Sequence, residues 1–554
     1  MGILRVVLGT VLLAAAASPV SATPASQVDA LFAEWNTTRS PGCAVAVLRD
    51  GRIAYEQGYG MADLDHGIPI TPTTVFHVAS VSKQFTAAAI LLLVQEGKVG
   101  LDDPVRKYVP ELPDFGTPIT VRELLHHTSG IRDQWELLEL SGWRYSLDLI
   151  TDDDVLRVVS RQKGLNFPPG TKYSYSNTGY TLLAQIVARV SGQSLREFTA
   201  ARFFGPLGMR NTHFRDDHAE IVPGIAYGYV KKGDAFSLSV TNFDTVGATS
   251  LLTTVEDLAR WDENFYAMQV GGPSLIAGMQ ERGVLANGKQ IAYAAGLRVD
   301  TYRGLPIVTH SGSDAGYRSV LLRFPQQHFS VTCLCNVGES NPTGVAQKIA
   351  EIYLGDKMQA PSVRSGPTAI VPPARLAAQA GTYVERGGHS ALRVSVTQGK
   401  LNVRRSEDAD EAPLAAIAEG RYQEEDDPDV TVEFSGGTAN AAARATLRDG
   451  EESPQVYERV PDYLPSAKEL ARYAGEYGSE EIEARYRIGL RNGKLVLSSM
   501  KLAGIELEPF APDVFSAREF GALHFTHDSR NTVTGFIFNT HRTFDFPFLK
   551  LRAQ

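Results

Sequence analysis

The stretch from Phe76 to Gly97 constrains this chain more than any other. Thr86–Ala87–Ala88–Ala89–Ile90–Leu91–Leu92–Leu93–Val94 strings strong helix formers into an apolar run that reads as a buried helix, and Gly97 suits the residue just past its end. Ser80 and Lys83 sit at the start of that helix, three residues apart and therefore on one face. A hydroxyl beside an ammonium at the positive end of a helix is a workable way to make a serine nucleophilic. The spacing alone is cheap. Ser160–Arg161–Gln162–Lys163 satisfies it too, but that copy ends a polar helix instead of opening an apolar one.

At 554 residues the chain is long enough for several domains with a full core. A formal charge of −9 with no basic block argues against nucleic acid as a partner. Residues 1–22 carry Arg5, the apolar run Val6 to Ala17 and the small-residue end Val20–Ser21–Ala22, a secretory signal with cleavage expected before Thr23. That run is too short to span a bilayer, and no later segment is long enough, so a periplasmic or secreted protein is expected. The three cysteines, Cys43, Cys333 and Cys335, form neither a disulfide framework nor a zinc pattern. Cys333 and Cys335 alternate with Leu334 and are read as buried apolar residues, with one bridge from Cys43 to either as the alternative. His-Glu-x-x-His, Gly-x-Ser-x-Gly and a phosphate-cradling loop are all missing, and neither metal nor cofactor is expected.

In chain order, Val45 to Leu48 and Ile53 to Tyr55 form a hairpin across Asp50–Gly51. Residues 101–165 are mostly helical and turn sequence. There Thr120 and Glu123 have capping-box spacing, Gly130 is read as the end of the short helix, and the adjacent His126 and His127 diverge too far to share a metal. Pro168–Pro169–Gly170 fixes a loop, after which Tyr175–Ser176–Asn177 sits just before the apolar helix Leu182 to Val190. Gly247 to Thr254 precedes a helix from Val255 to Phe265. Three late strands are expected over residues 293–299, 307–312 and 319–335, so a sheet completed by both ends of its domain encloses a helical insert.

Beyond residue 358 the composition shifts, and residues 359–375 read as a Pro-rich linker. The remainder of the chain repeats itself. Leu376, Gly381, Tyr383, Gly399, Lys400 and Leu401 recur 94 positions later as Leu470, Gly475, Tyr477, Gly493, Lys494 and Leu495. Residues 376–460 and 461–554 are therefore expected to be two small antiparallel β-barrels or sandwiches of one build.

Ser80-x-x-Lys83, Tyr175–Ser176–Asn177 and His310–Ser311–Gly312–Ser313, in that order, resemble the penicillin-recognising serine hydrolases of the class C β-lactamase type. The resemblance covers about residues 30–358 and implies the α+β (α/β sandwich) β-lactamase/DD-peptidase fold over residues 23–358. The two appended β-domains look most like the three-domain D-aminopeptidase arrangement. Mapped onto this chain, the resemblance makes Ser80 the nucleophile of an acyl-enzyme and leaves open whether Lys83 or Tyr175 is the base. Asn177 would bond Lys83 or the substrate amide, and the N–H groups of Ser80 and Ser313 would form an oxyanion hole beside Gly312. Gly312 is expected to let substrate lie against its strand.

Two departures bear on substrate. His310 stands where β-lactamases of this type place Lys, so a partly charged, pH-dependent carboxylate site is expected there. The stretch Val514 to Phe520, with Glu519 its acidic residue, looks shorter than the acidic loop with which D-aminopeptidases hold a free amino group. The leading expectation is an exported hydrolase of small D-amino-acid peptides, amides or esters, D-aminopeptidase- or DD-carboxypeptidase-like. A broad esterase with weak β-lactam affinity and a non-turnover penicillin-binding sensor are the alternatives. Oligomeric state stays open.

Overall fold

The computed structural model describes residues 23–552 apart from 146, 361–370, 387–389, 426–429, 438–441 and 451–453. The leader expected over residues 1–22 and most of the linker expected over 359–375 lie outside the described residues. A six-stranded antiparallel sheet is built from β1 (Cys43–Arg49), β2 (Arg52–Tyr59), β3 (Arg298–Tyr302), β4 (Leu305–Asp314), β5 (Tyr317–Phe324) and β6 (Phe329–Cys335). Its order is β3-β4-β5-β6-β1-β2, so the early hairpin closes onto the last strand. Alternation decides the layers. Ala44, Ala46 and Leu48 pack into the core of the helical insert, while Cys43, Val45 and Val47 pack against Ile349 and Leu354 of the helix Pro342–Leu354. Both faces being covered, β1 reads as one apolar run and not as alternating polar and apolar residues.

Three expectations are corrected here. The late strands number four, because Phe324 and Phe329 pair across the turn Pro325–Gln327, and Tyr293 makes only a bridge to Arg298. Gly296, at φ 69°, turns the chain before β3 where a Cβ would lie 2.6 Å from the Lys83 carbonyl oxygen. The short helix Val121–Leu125 keeps its capping box but is capped by His126, and Gly130 lies further on against Phe167 O. Cys43 and Cys335 face each other in the β1–β6 register with Cα atoms 4.0 Å apart and form a disulfide closing 292 residues. Only Cys333, opposite Val45, keeps a buried thiol, pushed up to about 12 by that burial.

Beyond the sheet domain stand two closed eight-stranded antiparallel barrels, with strands from Gly381 to Val460 and from Gly475 to Lys550. The repeat has a structural meaning. Tyr383 donates to Gln379 O at 2.7 Å and Tyr477 to Tyr473 O at 2.6 Å, an equivalent bond in each barrel, and Gly399 and Gly493 both turn at φ 77°. The second barrel docks on the helical insert. Arg132 pairs with Glu481 at 3.3 Å, both buried, and Tyr486 donates to Leu140 O at 2.7 Å.

Candidate active site

The nucleophile helix begins with a tight turn at Ala79–Ser82, continuing as Lys83–Gln95. Ala79 is held at φ 48°, a left-handed conformation that costs an alanine about 1 kcal/mol or more. Ser82 helps hold it, donating to Ala79 O at 2.5 Å and accepting from Leu251 N at 3.0 Å. Lys83 is fully buried, and its Nζ has three partners: Ala248 O at 2.7 Å, Asn177 Oδ1 at 2.8 Å and Ser80 Oγ at 3.1 Å. The first two can only accept. A neutral amine would spend both its N–H groups on them and turn its lone pair to the Ser80 hydroxyl. Burial supports that state, lowering Lys83 to about 7. The Gly247–Ala248 turn that supplies the carbonyl is fixed by Thr86, which donates to Gly247 O at 2.8 Å.

Tyr175 lines the cavity beside Ser80, with Lys83 Nζ 4.9 Å from its ring centroid. Burial pushes its hydroxyl far above the ordinary tyrosine value, so it is held as the neutral phenol. The His127 ring packs against it at a tilt, centroids 4.2 Å apart, and accepts from Ser176 N through Nδ1, which explains one of the paired histidines; His126 packs against Gly283 instead. Asn177 opens the helix Asn177–Ser191, and both its backbone N and its Nδ2 donate to Asp133 Oδ2, at 2.7 and 2.9 Å. Asp133 thereby fixes the amide so that Oδ1 faces Lys83. Sequence reasoning missed Asp133; its one signal was that an Asp before Gln134–Leu140 makes a good N-cap.

Strand β4 forms the opposite wall. A Cβ on Gly312 would lie 2.4 Å from Val78 O and from Ser319 Oγ and 3.0 Å from Ser80 N. The glycine is therefore required by the protein's own backbone, and it also lines the cavity. Ser311 and Ser313 alternate with it toward the open side. The expectation of a partly charged His310 is corrected. Its Nδ1 donates to Ser311 O at 2.6 Å and its Nε2 accepts from Tyr293 at 2.9 Å, which uses both nitrogens of a neutral ring. Burial first, and the Lys83 charge second, hold it down to about 3. At the end of β4, Asp314 accepts from His77 at 2.9 Å, Tyr145 at 2.6 Å and Thr249; despite burial these bonds keep it below the usual carboxylate range.

Ser80, Tyr175, Asn177, His310, Gly312 and Ser313 all line one cavity of about 540 Å³, with Lys83 just behind. The decoy Ser160 instead donates to its own helix at Arg157 O. A further lining residue comes from the second barrel: Arg542, in the turn between strands Val533–Asn539 and Phe546–Lys550, has its guanidinium 5.0 Å from the Tyr175 ring centroid. The stretch Val514 to Phe520, where a barrel residue was sought, is barrel wall with Phe515 and Phe520 buried. The side chain of Glu519 lies outside the described residues.

Residues 28–355, more than half of the chain, match the sequence model of the Beta-lactamase family. This chain belongs to that family. A D-aminopeptidase of Gluconobacter oxydans is 28% identical over 456 residues, 82% of either chain. One of Brucella anthropi is 30% identical over 325 residues, 57% of this chain and 60% of that protein. Among solved structures, an octameric penicillin-binding protein homologue from Pyrococcus abyssi superposes with a TM-score of 0.56 at 25% identity, over 78% of this chain and 99% of that one. SurE, with a TM-score of 0.52 at 23% identity over 79% of this chain and 99% of its own, shares the fold. As a Beta-lactamase family member the protein is a serine hydrolase of the penicillin-recognising group, and its site holds the parts acyl transfer needs. These are a hydroxyl beside a buried amine, a neutral phenol in the same cavity, and a strand edge facing the N-terminus of the nucleophile helix.

Proposed function

We propose that the protein hydrolyses amide bonds in small D-amino-acid-containing peptides or amides through a Ser80 acyl-enzyme. The observation that carries the chemistry is the Lys83 environment, where two carbonyl acceptors leave the amine lone pair for Ser80. The D-amino-acid preference is supported by the D-aminopeptidase relatives matched across both the catalytic and the barrel regions. Lys83 takes the Ser80 proton as Oγ attacks the carbonyl carbon. The N–H groups of Ser80 and Ser313 receive the developing oxyanion, and Tyr175 passes the proton to the leaving amine as the C–N bond breaks. A water molecule then attacks the acyl-enzyme, releasing the acid and restoring Ser80. Export belongs to the same reading and rests on residues 1–22; a mature N-terminus at Thr23 by mass spectrometry of the expressed protein checks it.

The test is a panel run on the wild type and on Ser80→Ala. It holds D-alanine p-nitroanilide and its L-isomer, an N-acyl-D-Ala-D-Ala peptide, a nitrophenyl ester and a chromogenic cephalosporin. Turnover of a D-probe by the wild type, lost in the variant, is expected. Equal rates in the two proteins would end the mechanism. Preference for the L-isomer, turnover of the ester alone, or stoichiometric acylation without turnover would each end the D-peptide reading.

A further inference from the structure

The Arg542 guanidinium is set by unusual effort. Arg542 N donates to both carboxylate oxygens of Glu136 at 3.0 Å, and Arg542 O accepts from Asn166 Nδ2 at 2.8 Å. Both backbone groups of one barrel-turn residue are thus gripped by side chains of the hydrolase domain. The turn is braced within itself by Thr543 N donating to Thr540 Oγ1 at 3.0 Å, and Phe544 N donates to Asn166 Oδ1 at 2.8 Å. Clamped so, the side chain reaches into the cavity and stays exposed there, over the ring of Tyr175.

Among the described residues no carboxylate pairs with that guanidinium. The two whose charge acts on it are hydrogen-bonded elsewhere: Asp133 to Asn177 and Trp135 N, and Glu136 to the Arg542 backbone and Thr540. The other cation on the wall, Arg318, spends Nη1 on Ala315 O and Tyr317 O. Among the described residues the one carboxylate lining the cavity, Asp314, already accepts from His77, Thr249 and Tyr145. A substrate ammonium would therefore meet no unengaged acid on the described wall, whereas a substrate carboxylate would meet a planar, unpaired donor fork suited to bidentate binding.

We infer that Arg542 is a carboxylate-recognition residue delivered by the second barrel, and that it selects peptides whose leaving group ends in a free carboxylate. The leaving-group side follows from Tyr175. The phenol that protonates the departing amine lies directly beneath the guanidinium, so a carboxylate held above it hangs one α-carbon from that amine. The enzyme would then act at the C-terminal bond of a D-peptide, although its matched relatives are D-aminopeptidases. This rests on the amide-hydrolysis reading proposed for the same site.

The experiment compares kcat/KM of the full chain on N-acetyl-D-Ala-D-Ala and on its C-terminal amide, in the wild type, Arg542→Gln and Arg542→Lys. The wild type should prefer the free carboxylate about 10- to 100-fold, the range of a charge-assisted hydrogen-bonded pair. Arg542→Gln should bring the ratio close to one, chiefly through KM for the acid, and Arg542→Lys should restore part of it. A wild type without preference, or a Gln variant that keeps the ratio, overturns the inference. So does an equal loss on both probes in both variants, which would place Arg542 on Tyr175 and not on substrate. Ser80-dependent turnover of the nitrophenyl ester separates the two readings, since the amide-hydrolysis proposal can fail there while the carboxylate arm is still scored. N-acetyl-D-alanine should inhibit that ester turnover in the wild type and at least tenfold more weakly in Arg542→Gln, and equal inhibition counts against the inference.

Discussion

Gly312→Ala tests how tightly the strand wall is locked to the nucleophile. The added Cβ would sit 2.4 Å from Val78 O and from Ser319 Oγ, roughly an ångström inside ordinary contact. Ser319 could rotate, but the Val78 carbonyl cannot swing away freely. It accepts from Val81 N at 3.1 Å, within the turn that carries Ser80, and from Ser319 Oγ at 2.7 Å. Strand β4 must therefore back off from the nucleophile turn, and at Gly312 it is held by its pairing with Ser319 of β5. Overpacking of this kind costs about 1–3 kcal/mol of stability, a drop of several degrees in Tm at about 2–4 °C per kcal/mol for a domain this size. The larger effect is kinetic. Moving Ser313 N away from Ser80 N by about 1 Å should lower kcat about 100-fold, the usual cost of such a misplacement. The assay is nitrophenyl-ester or D-peptide turnover alongside a thermal melt. A variant with wild-type kcat, whatever its Tm, would refute the locked-wall argument.

The buried groups give two more expected outcomes. With Lys83 lowered to about 7, kcat/KM should fall about tenfold per pH unit below that point, as the amine takes up a proton and loses the lone pair aimed at Ser80. Stability runs the same way: the unfolded chain binds more protons than the folded one between pH 7 and the ordinary lysine value, so Lys83 favours folding increasingly as pH rises through that window. An acid limb centred near 3, where His310 is held, would refute the assignment. Asp133→Asn separates two roles, because Asn caps a helix about as well as Asp but loses the charged acceptor for the Asn177 amide. Unfolding free energy should stay within about 1 kcal/mol while kcat/KM drops about 10- to 100-fold, and an unchanged kcat/KM in a stable variant would remove Asp133 from the positioning role.

What could be read from the chain alone is what local chemistry decides. The buried helix, the three motifs, the capping box at Thr120 and the barrel repeat are each contained in a short span or a fixed offset. The Tyr383 and Tyr477 bonds show why that offset persists. What stayed hidden depends on register and domain placement. Nothing near Cys43 or Cys335 says that β1 and β6 pair, or that Val45 and not Cys43 faces Cys333. His310 carried its position but not its charge, which its burial in the cavity wall decides. Val514 to Phe520 drew attention by analogy, yet its aromatic residues fill the barrel. Arg542 sits in a hairpin turn with no local mark of function.

One short helix, Gln134–Leu140, explains why the barrel cannot be treated as an appendage. Its N-cap Asp133 holds Asn177, and through Asn177 the Lys83 amine. In the same first turn, Glu136 grips the turn that carries Arg542, and at the far end of the helix Leu140 O accepts from Tyr486 of the same barrel. Burial, with the Asp133 carboxylate second, pushes Glu136 up to about 7, so the grip is made by a group that resists charging and is satisfied by the Thr540 hydroxyl and the Arg542 N–H. Between them runs Trp135, whose side chain lines the cavity. The catalytic amine and the barrel guanidinium are thus both held from the first turn of one helix, by Asp133 and Glu136. A shift of the second barrel would move the cation and strain the Asn177 holder together, which couples substrate choice to catalytic geometry by packing.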